Sequence, residues 1–178
     1  MDNAAIEVVH DRPRQLLALW RCFVVVVVRS SPNGEDVLAL EQALAELRAR
    51  GHDHAAIIHC SVANGPGAPP DDGARARYRT MMQDRATIVR ASAIVIEQEG
   101  FVGSLIRSVL TSLLFLTRAV YPTRAHASMR DAADWLAVTL AAHDCRPATS
   151  DELVAAMSAA VARARGGAHE PPRRGGAG

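Results

Sequence analysis

Histidine and cysteine residues near the middle of the chain have the side-chain types and spacing that could bind a metal ion. His52 and His54 lie two residues apart, and His59 and Cys60 follow in the same stretch. Zinc is bound by imidazole nitrogens and thiolates of this kind. His59 and Cys60, however, are neighbours in an apolar run typical of a strand, where adjacent side chains point to opposite faces. The pattern favours loop histidines and one buried thiol over a metal site. The same interpretation applies to His143-Asp144-Cys145. We therefore predict no metal and no cofactor.

A turn with two glycines, Gly100-Phe101-Val102-Gly103-Ser104, has the composition of an anion site. It is predicted to join a strand to a helix, and backbone N–H groups converge at helix N-termini. Its spacing differs from the dinucleotide-binding glycine pattern, the phosphate-binding loop and the nucleophile elbow of hydrolases. We therefore predict no catalytic residue and keep Gly100, Gly103 and Ser104 as an alternative site for a small molecule or anion. A hydrolase with an unrecognised site is a third reading.

An arginine-rich segment after a Pro/Gly-rich loop is the predicted partner-binding surface. Arginine can bind carboxylates with two parallel hydrogen bonds, and methionine gives an adaptable apolar contact. The formal net charge of +1, with Tyr78 as the sole interleaved aromatic residue, argues against nucleic acid. We expect another protein as the partner. The residues predicted to bind it are Asp71, Asp72, Gly73, Arg75, Arg79 and Met82.

The element expected to position these residues is a run of five valines, Val24 to Val28. Such β-branched residues pack well on a pleated sheet, and the run does not alternate with polar residues. It therefore predicts a central strand with helices on both faces. Val37 to Leu47 shows helical spacing, with Asn33 as the N-cap and Gly51 just beyond the end. The next strand, from Ala55 to Val62, predicts a right-handed crossover and a parallel pair.

The rest of the chain continues the alternation of helices and strands and predicts an α/β fold, with a mixed sheet of about five strands. The expected domain is 1–146, followed by an appended C-terminal helix over 147–165 and a disordered tail over 166–178. The further predicted elements are a helix over 74–91, a strand over 93–97, an apolar helix over 105–116, a short edge strand over 125–127, a helix from Ser128 to about Ala142, and the last helix from Thr149 to about Arg165.

Composition and cysteine usage indicate a compartment. The three cysteines are odd in number and far apart, which favours buried thiols in a reducing cytoplasm over disulfides. The first residues lack a basic segment followed by an apolar one, so no signal peptide is predicted. The apolar stretch over 105–120 contains Arg107 and Arg118 and falls short of the roughly 20 apolar residues that a membrane span requires. We therefore expect a cytoplasmic protein that does not insert into membranes.

The order of elements over residues 6–142 resembles the STAS superfamily, the sulphate-transporter and anti-sigma-factor-antagonist domains. The resemblance is carried by the valine strand running into 32–36, the crossover helix over 37–47, the strand over 55–61, and Ala-Ala-Asp-Trp-Leu at 132–136. It implies a regulatory domain of bacterial signalling that docks on other proteins, or on a second copy of itself, without catalysis.

The best signature of that family is Asp-Ser-x-Gly, whose serine is phosphorylated by a partner kinase. The nearest segment in this chain is Asp71-Asp72-Gly73. Asp72 occupies the position of the phosphorylated serine, and the glycine comes one place early. The resemblance thus implies that the carboxylate of Asp72 stands in for a permanently phosphorylated state.

Overall fold

The valine run forms the third strand of a six-stranded sheet in the computed structural model. The structure describes residues 5–62, 72–97, 120–143, 145 and 149–166. Neighbouring strands follow the order of the chain, with β1, β2 and β3 antiparallel and β3 to β6 parallel. The strands are β1 Glu7–Asp11, β2 Gln15–Trp20, β3 Phe23–Val28, β4 Ala55–Ser61, β5 Val89–Val95 and β6 Thr123–His126.

Four helices lie on the two faces of this sheet within the described residues: α1 Gly34–Ala49, α2 Asp72–Asp84, α3 Met129–Thr139 and α4 Ser150–Gly166. The predicted α/β fold with a mixed sheet is confirmed. The sheet has six strands where the sequence predicted about five. No helix in the described part of the chain has the length and apolar character needed to cross a membrane.

Strand β3 is covered on both faces, as its lack of alternation predicted. Val25 and Val27 pack towards α3 and α4, whereas Val24 and Val26 pack towards α1 and α2. All four side chains are at most 2% exposed. Hydrogen bonds to β2 on one side and β4 on the other complete its enclosure.

The start of α1 follows from a local capping pattern. The side-chain oxygen of Asn33 accepts hydrogen bonds from the N–H groups of Glu35 and Asp36, each at 3.0 Å. The Asp36 carboxylate in turn accepts the N–H of Asn33 at 2.8 Å, which completes a capping box. The side-chain amide of Gln15 donates to the Asp36 carbonyl at 2.7 Å and ties this turn to β2. Gly51, with φ of +88°, follows the helix in a conformation that favours glycine.

Both crossovers described between parallel strands, through α1 and through α2, lie on one face of the sheet. Right-handed connections that advance in a constant direction along a sheet give this arrangement. From β3 to β5 the strand order never reverses, so this part of the sheet has no topological switch point, where open α/β sheets usually bind ligands. Helices α3 and α4 cover the opposite face.

The boundary between α2 and β5 differs from the sequence-based prediction. The helix expected over 74–91 ends at Asp84, and the strand expected over 93–97 is β5, which begins at Val89. Ile88 and Val89 fit the helical spacing of α2, but they are buried at the start of the strand, where Val89 pairs with Ala55. The predicted apolar helix over 105–116 and the tail over 167–178 lie outside the described residues.

The cysteines also differ from the prediction of buried thiols. Cys22 and Cys145 form a disulfide with their Cα atoms 5.5 Å apart, and Cys60 alone is a free, buried thiol. Cys22 lies in the turn between β2 and β3, next to Arg21 with its φ of +53°, and Cys145 follows α3. Their sequence separation of 123 residues conceals this proximity. The cysteines therefore do not support the predicted reducing cytoplasm.

Helix α4 packs on β2, β3 and α3. At its start, Arg21 forms an ion pair with Glu152 at 3.2 Å. At its end, the guanidinium of Arg29 donates to the Ala164 carbonyl at 3.0 and 2.8 Å and to Asp11 of β1 at 2.8 Å. The side chains of α4 buried against the sheet and α3 are Leu153, Ala156, Met157, Ala160, Val161 and Ala164.

Candidate functional site

Four of the residues predicted to bind a partner lie along one stripe of α2. Asp72, Arg75, Arg79 and Met82 are separated by three, four and three residues, a spacing that places them on one helical face. The first three are exposed and Met82 is half-buried. We call these four residues the α2 stripe. Gly73 is exposed beside it, and Asp71 lies outside the described residues.

A narrow apolar strip attaches α2 to the domain. Of its thirteen residues, only Ala74 and Met81 are buried, and Tyr78 and Met82 pack partly against the same cluster. Ala74, Tyr78 and Met81 recur at intervals of four and three, so they form the inward face of an amphipathic helix, with Met82 at its border. The α2 stripe runs along a flank of this strip. Most of the surface of α2 is therefore available for contact.

The arginines of α2 differ in their partners. Arg75 forms an ion pair with Asp72 in the first turn, and both side chains are largely exposed. Arg77 lies on the side of α1, where its Nε is 3.4 Å from a Glu41 oxygen. Arg79 has no ion pair within the described residues. The stripe thus contains one free guanidinium and one held by an exposed carboxylate.

A groove of about 280 Å³ separates α1 from α2. Small-molecule pockets are usually larger and mostly apolar, with few polar groups. Charged side chains of both signs dominate this groove, which favours contact with a polar protein segment over enclosure of a small molecule. Its lining residues are Glu41, Arg77, Thr80, Met81, Asp84 and Arg85.

Under α2, a neutral polar pair links the helix to β4. The Tyr78 hydroxyl lies 3.4 Å from Nε2 of His59. Burial lowers the pKa of His59 to about 4 and raises the pKa of Tyr78. A base with so low a pKa is poorly matched to proton transfer at neutral pH. The pair therefore holds α2 on the sheet more readily than it performs chemistry.

Acidification should destabilise the fold through His59. Its folded-state pKa of about 4 lies below the ordinary value of 6.5, so between these values the unfolded chain binds the proton more readily. The stabilisation is complete above about pH 6.5 and is lost as the pH falls towards 4, by up to about 3 kcal/mol for this shift. Urea denaturation at pH 7 and pH 4.5 measures the loss.

The matched variants for that experiment are His59→Gln and His52→Gln. Glutamine at 59 keeps an acceptor for Tyr78 but does not titrate, so this variant should lose less stability on acidification than the unmodified chain. His52→Gln, in the turn before β4, should retain the full loss. Equal pH dependence in all three proteins would exclude His59 as the titrating group.

On the opposite face of β4, Cys60 has the properties of a structural thiol. Its side chain is 2% exposed. Desolvation, with a smaller contribution from Glu97, raises the pKa of Cys60 to about 12. The nucleophilic form of cysteine is the thiolate, which is scarce at this pKa. No catalytic pairing of Cys60 with a base is present among the described residues.

Two juxtapositions were missed by the sequence-based predictions. Cys22 bonds to Cys145, and the ring of His54 lies 5.2 Å from that of His143. Both join segments far apart in the chain, and no local pattern signals either one. The sequence analysis weighed a grouping of His52 and His54 with His59 and Cys60 and set it aside. The described residues contain no group of three or more His, Cys, Asp or Glu side chains that could hold a metal ion.

The alternative ligand site, Gly100, Gly103 and Ser104, lies outside the described residues, so its geometry adds no support. No family model, curated protein or solved structure matches the chain. We therefore infer the function from the geometry of α2 and its surroundings.

Proposed function

We propose that this chain is a non-catalytic, regulatory domain that binds another protein through the α2 stripe. The observation that carries the proposal is the alignment of Asp72, Arg75, Arg79 and Met82 on one accessible face of a thinly attached helix. The resemblance to STAS domains of bacterial signalling supports the same function. A second copy of the chain is the alternative partner.

Charge complementarity favours an acidic segment as the partner. Helix α2 contains three arginines and two aspartates. Arg79 can bind a carboxylate of the partner with two hydrogen bonds. Arg75 can exchange Asp72 for a partner carboxylate at little cost, because exposed ion pairs contribute at most about 1 kcal/mol. Met82, at the end of the stripe, supplies an adaptable apolar contact.

Asp72 has a separate part in the proposal. It is the first residue of α2, and its side chain is 96% exposed. At the position where the family signature has its phosphorylated serine, its carboxylate would supply a constitutive negative charge. Arg75 offsets part of that charge through the ion pair. We therefore propose a partner that binds this domain without prior phosphorylation.

The double variant Arg75→Glu/Arg79→Glu is expected to weaken partner binding at least tenfold. It replaces two cations of the stripe by anions that repel an acidic segment, and like-charge contacts across an interface cost several kcal/mol. Affinity capture from extracts of the source organism, followed by quantitative mass spectrometry and titration of the captured protein, measures the change. Binding to the unmodified chain should also weaken as salt is raised.

The matched control is Arg163→Glu/Arg165→Glu, which makes the same charge change in exposed residues of the last turn of α4. It should retain the partner. An unchanged partner set and affinity in the α2 variant, or equal losses in both variants, would show that the stripe is not the interface.

A further inference from the structure

His54 and His143 lie close together at the end of the sheet where strand β4 begins. His54 immediately precedes β4, and His143 lies in the turn that follows α3. Their ring centroids are 5.2 Å apart, with 54° between the ring planes. Both residues are half-buried.

This spacing fits two imidazoles on one metal ion. With metal–nitrogen distances of about 2.0 Å, ring centroids lie about 3.2 Å from the ion, and two rings at a tetrahedral angle then stand about 5.2 Å apart. The measured separation agrees with that value. Aromatic contact alone permits a wider range of about 4.5–7 Å.

One nitrogen of the pair has no hydrogen-bond partner. Nδ1 of His54 is buried and makes no hydrogen bond within the described residues. Most buried polar atoms in proteins are paired, and an unpaired one calls for an unseen ligand or water. A metal ion at this ring would have no hydrogen bond to displace at Nδ1.

Both histidines are held by the surrounding backbone. Next to His54, the N–H of Ala55 donates to Ile88 at 2.9 Å, and the N–H of Ala56 donates to Cys22 at 3.1 Å. The N–H of His143 donates to Leu140 at 2.9 Å, and the disulfide fixes Cys145 two residues further on. Ligands fixed in advance lose little freedom on binding.

We propose that His54 and His143 form a binding site for a divalent transition-metal ion of the zinc, nickel and copper class, which imidazole nitrogens prefer. The described residues supply no third ligand. Water therefore completes the coordination, and the affinity falls far below that of a four-ligand structural site, on the order of 10 µM. The site is independent of the α2 stripe.

The test is isothermal titration of the full, oxidised chain, prepared without a histidine tag, with zinc chloride. The unmodified protein should bind one zinc ion. His54→Gln and His143→Gln should each weaken binding at least tenfold, and the double variant should bind no more weakly than the singles, because either loss destroys one shared site. His52→Gln, two residues from His54, is the control and should bind as the unmodified protein does.

Histidine side-chain ¹⁵N shifts of the unmodified chain provide a readout that does not depend on the folding of a variant. Zinc should shift the ring nitrogens of His54 and His143 and leave those of His52 and His59 in place. The proposal is overturned if 100 µM zinc gives neither heat nor shifts, or if His52→Gln weakens binding as much as His54→Gln does.

Discussion

Removing the Cys22–Cys145 disulfide is expected to lower the free energy of unfolding by about 5 kcal/mol. The bond closes a loop of 123 residues, and restricting the unfolded chain over a loop of about this length is worth roughly 5 kcal/mol in the chain-entropy model. Small domains have only about 5–15 kcal/mol of stability in total. The loss should therefore bring the domain close to unfolding.

Urea denaturation of Cys22→Ala/Cys145→Ala and of the reduced, unmodified chain measures this loss. Alanine avoids placing two hydroxyls at buried positions. Cys60→Ala is the control, because it removes a buried sulphur without opening the loop, and it should cost less than the double variant. If thiol titration proves the bond open while the urea midpoint stays unchanged, the disulfide is not a major source of stability.

Deleting residues 149–178 should cause aggregation or loss of the folded state. Helix α4 contributes Leu153, Met157 and Val161 to the core, each at most 5% exposed. Burying side chains of this size stabilises by about 1.5–3 kcal/mol each, so their combined loss approaches the stability of a small domain. Without α4, the apolar face of β2 and β3 meets water, and exposed apolar faces promote association.

Light scattering and near-ultraviolet circular dichroism of the truncated chain test this prediction. Deletion of 167–178 alone is the control, since its Gly- and Pro-rich composition predicts no contribution to a core. A finer comparison is Met157→Asp, which buries a charge, against Ala155→Asp on the exposed side of α4. A monomeric truncated form with an intact near-ultraviolet spectrum would mean that the sheet does not need this cover.

The sequence predicted best what local residues determine. The central position of β3 follows from a run of β-branched residues without alternation, and the start of α1 follows from Asn33 and Asp36, three residues apart. The α2 stripe follows from helical spacing alone. The end of α2 was misplaced because Ile88 and Val89 satisfy both the helical spacing and the start of a buried strand.

Contacts between distant parts of the chain could not be predicted in this way. Two such contacts are the pair Cys22 and Cys145 and the pair His54 and His143. They form only when the turns before β3 and β4 and the turn after α3 lie together at one end of the strands. The ion pair of Arg77 with Glu41 likewise depends on how α2 lies against α1. These contacts decide which thiols, imidazoles and guanidiniums remain available.

Site-specific photo-crosslinking from α2 tests the proposed interface most directly. A benzophenone amino acid replaces Gln83, an exposed residue one turn after Arg79 on the same side of α2, so that the arginines of the stripe are kept. A second protein has it at Ala159, an exposed position of α4. In cells of the source organism, position 83 should crosslink to a protein through a segment rich in Asp and Glu, and position 159 should not. Equal crosslinking from both positions, or none above background from position 83, would contradict a partner-binding role for this helix.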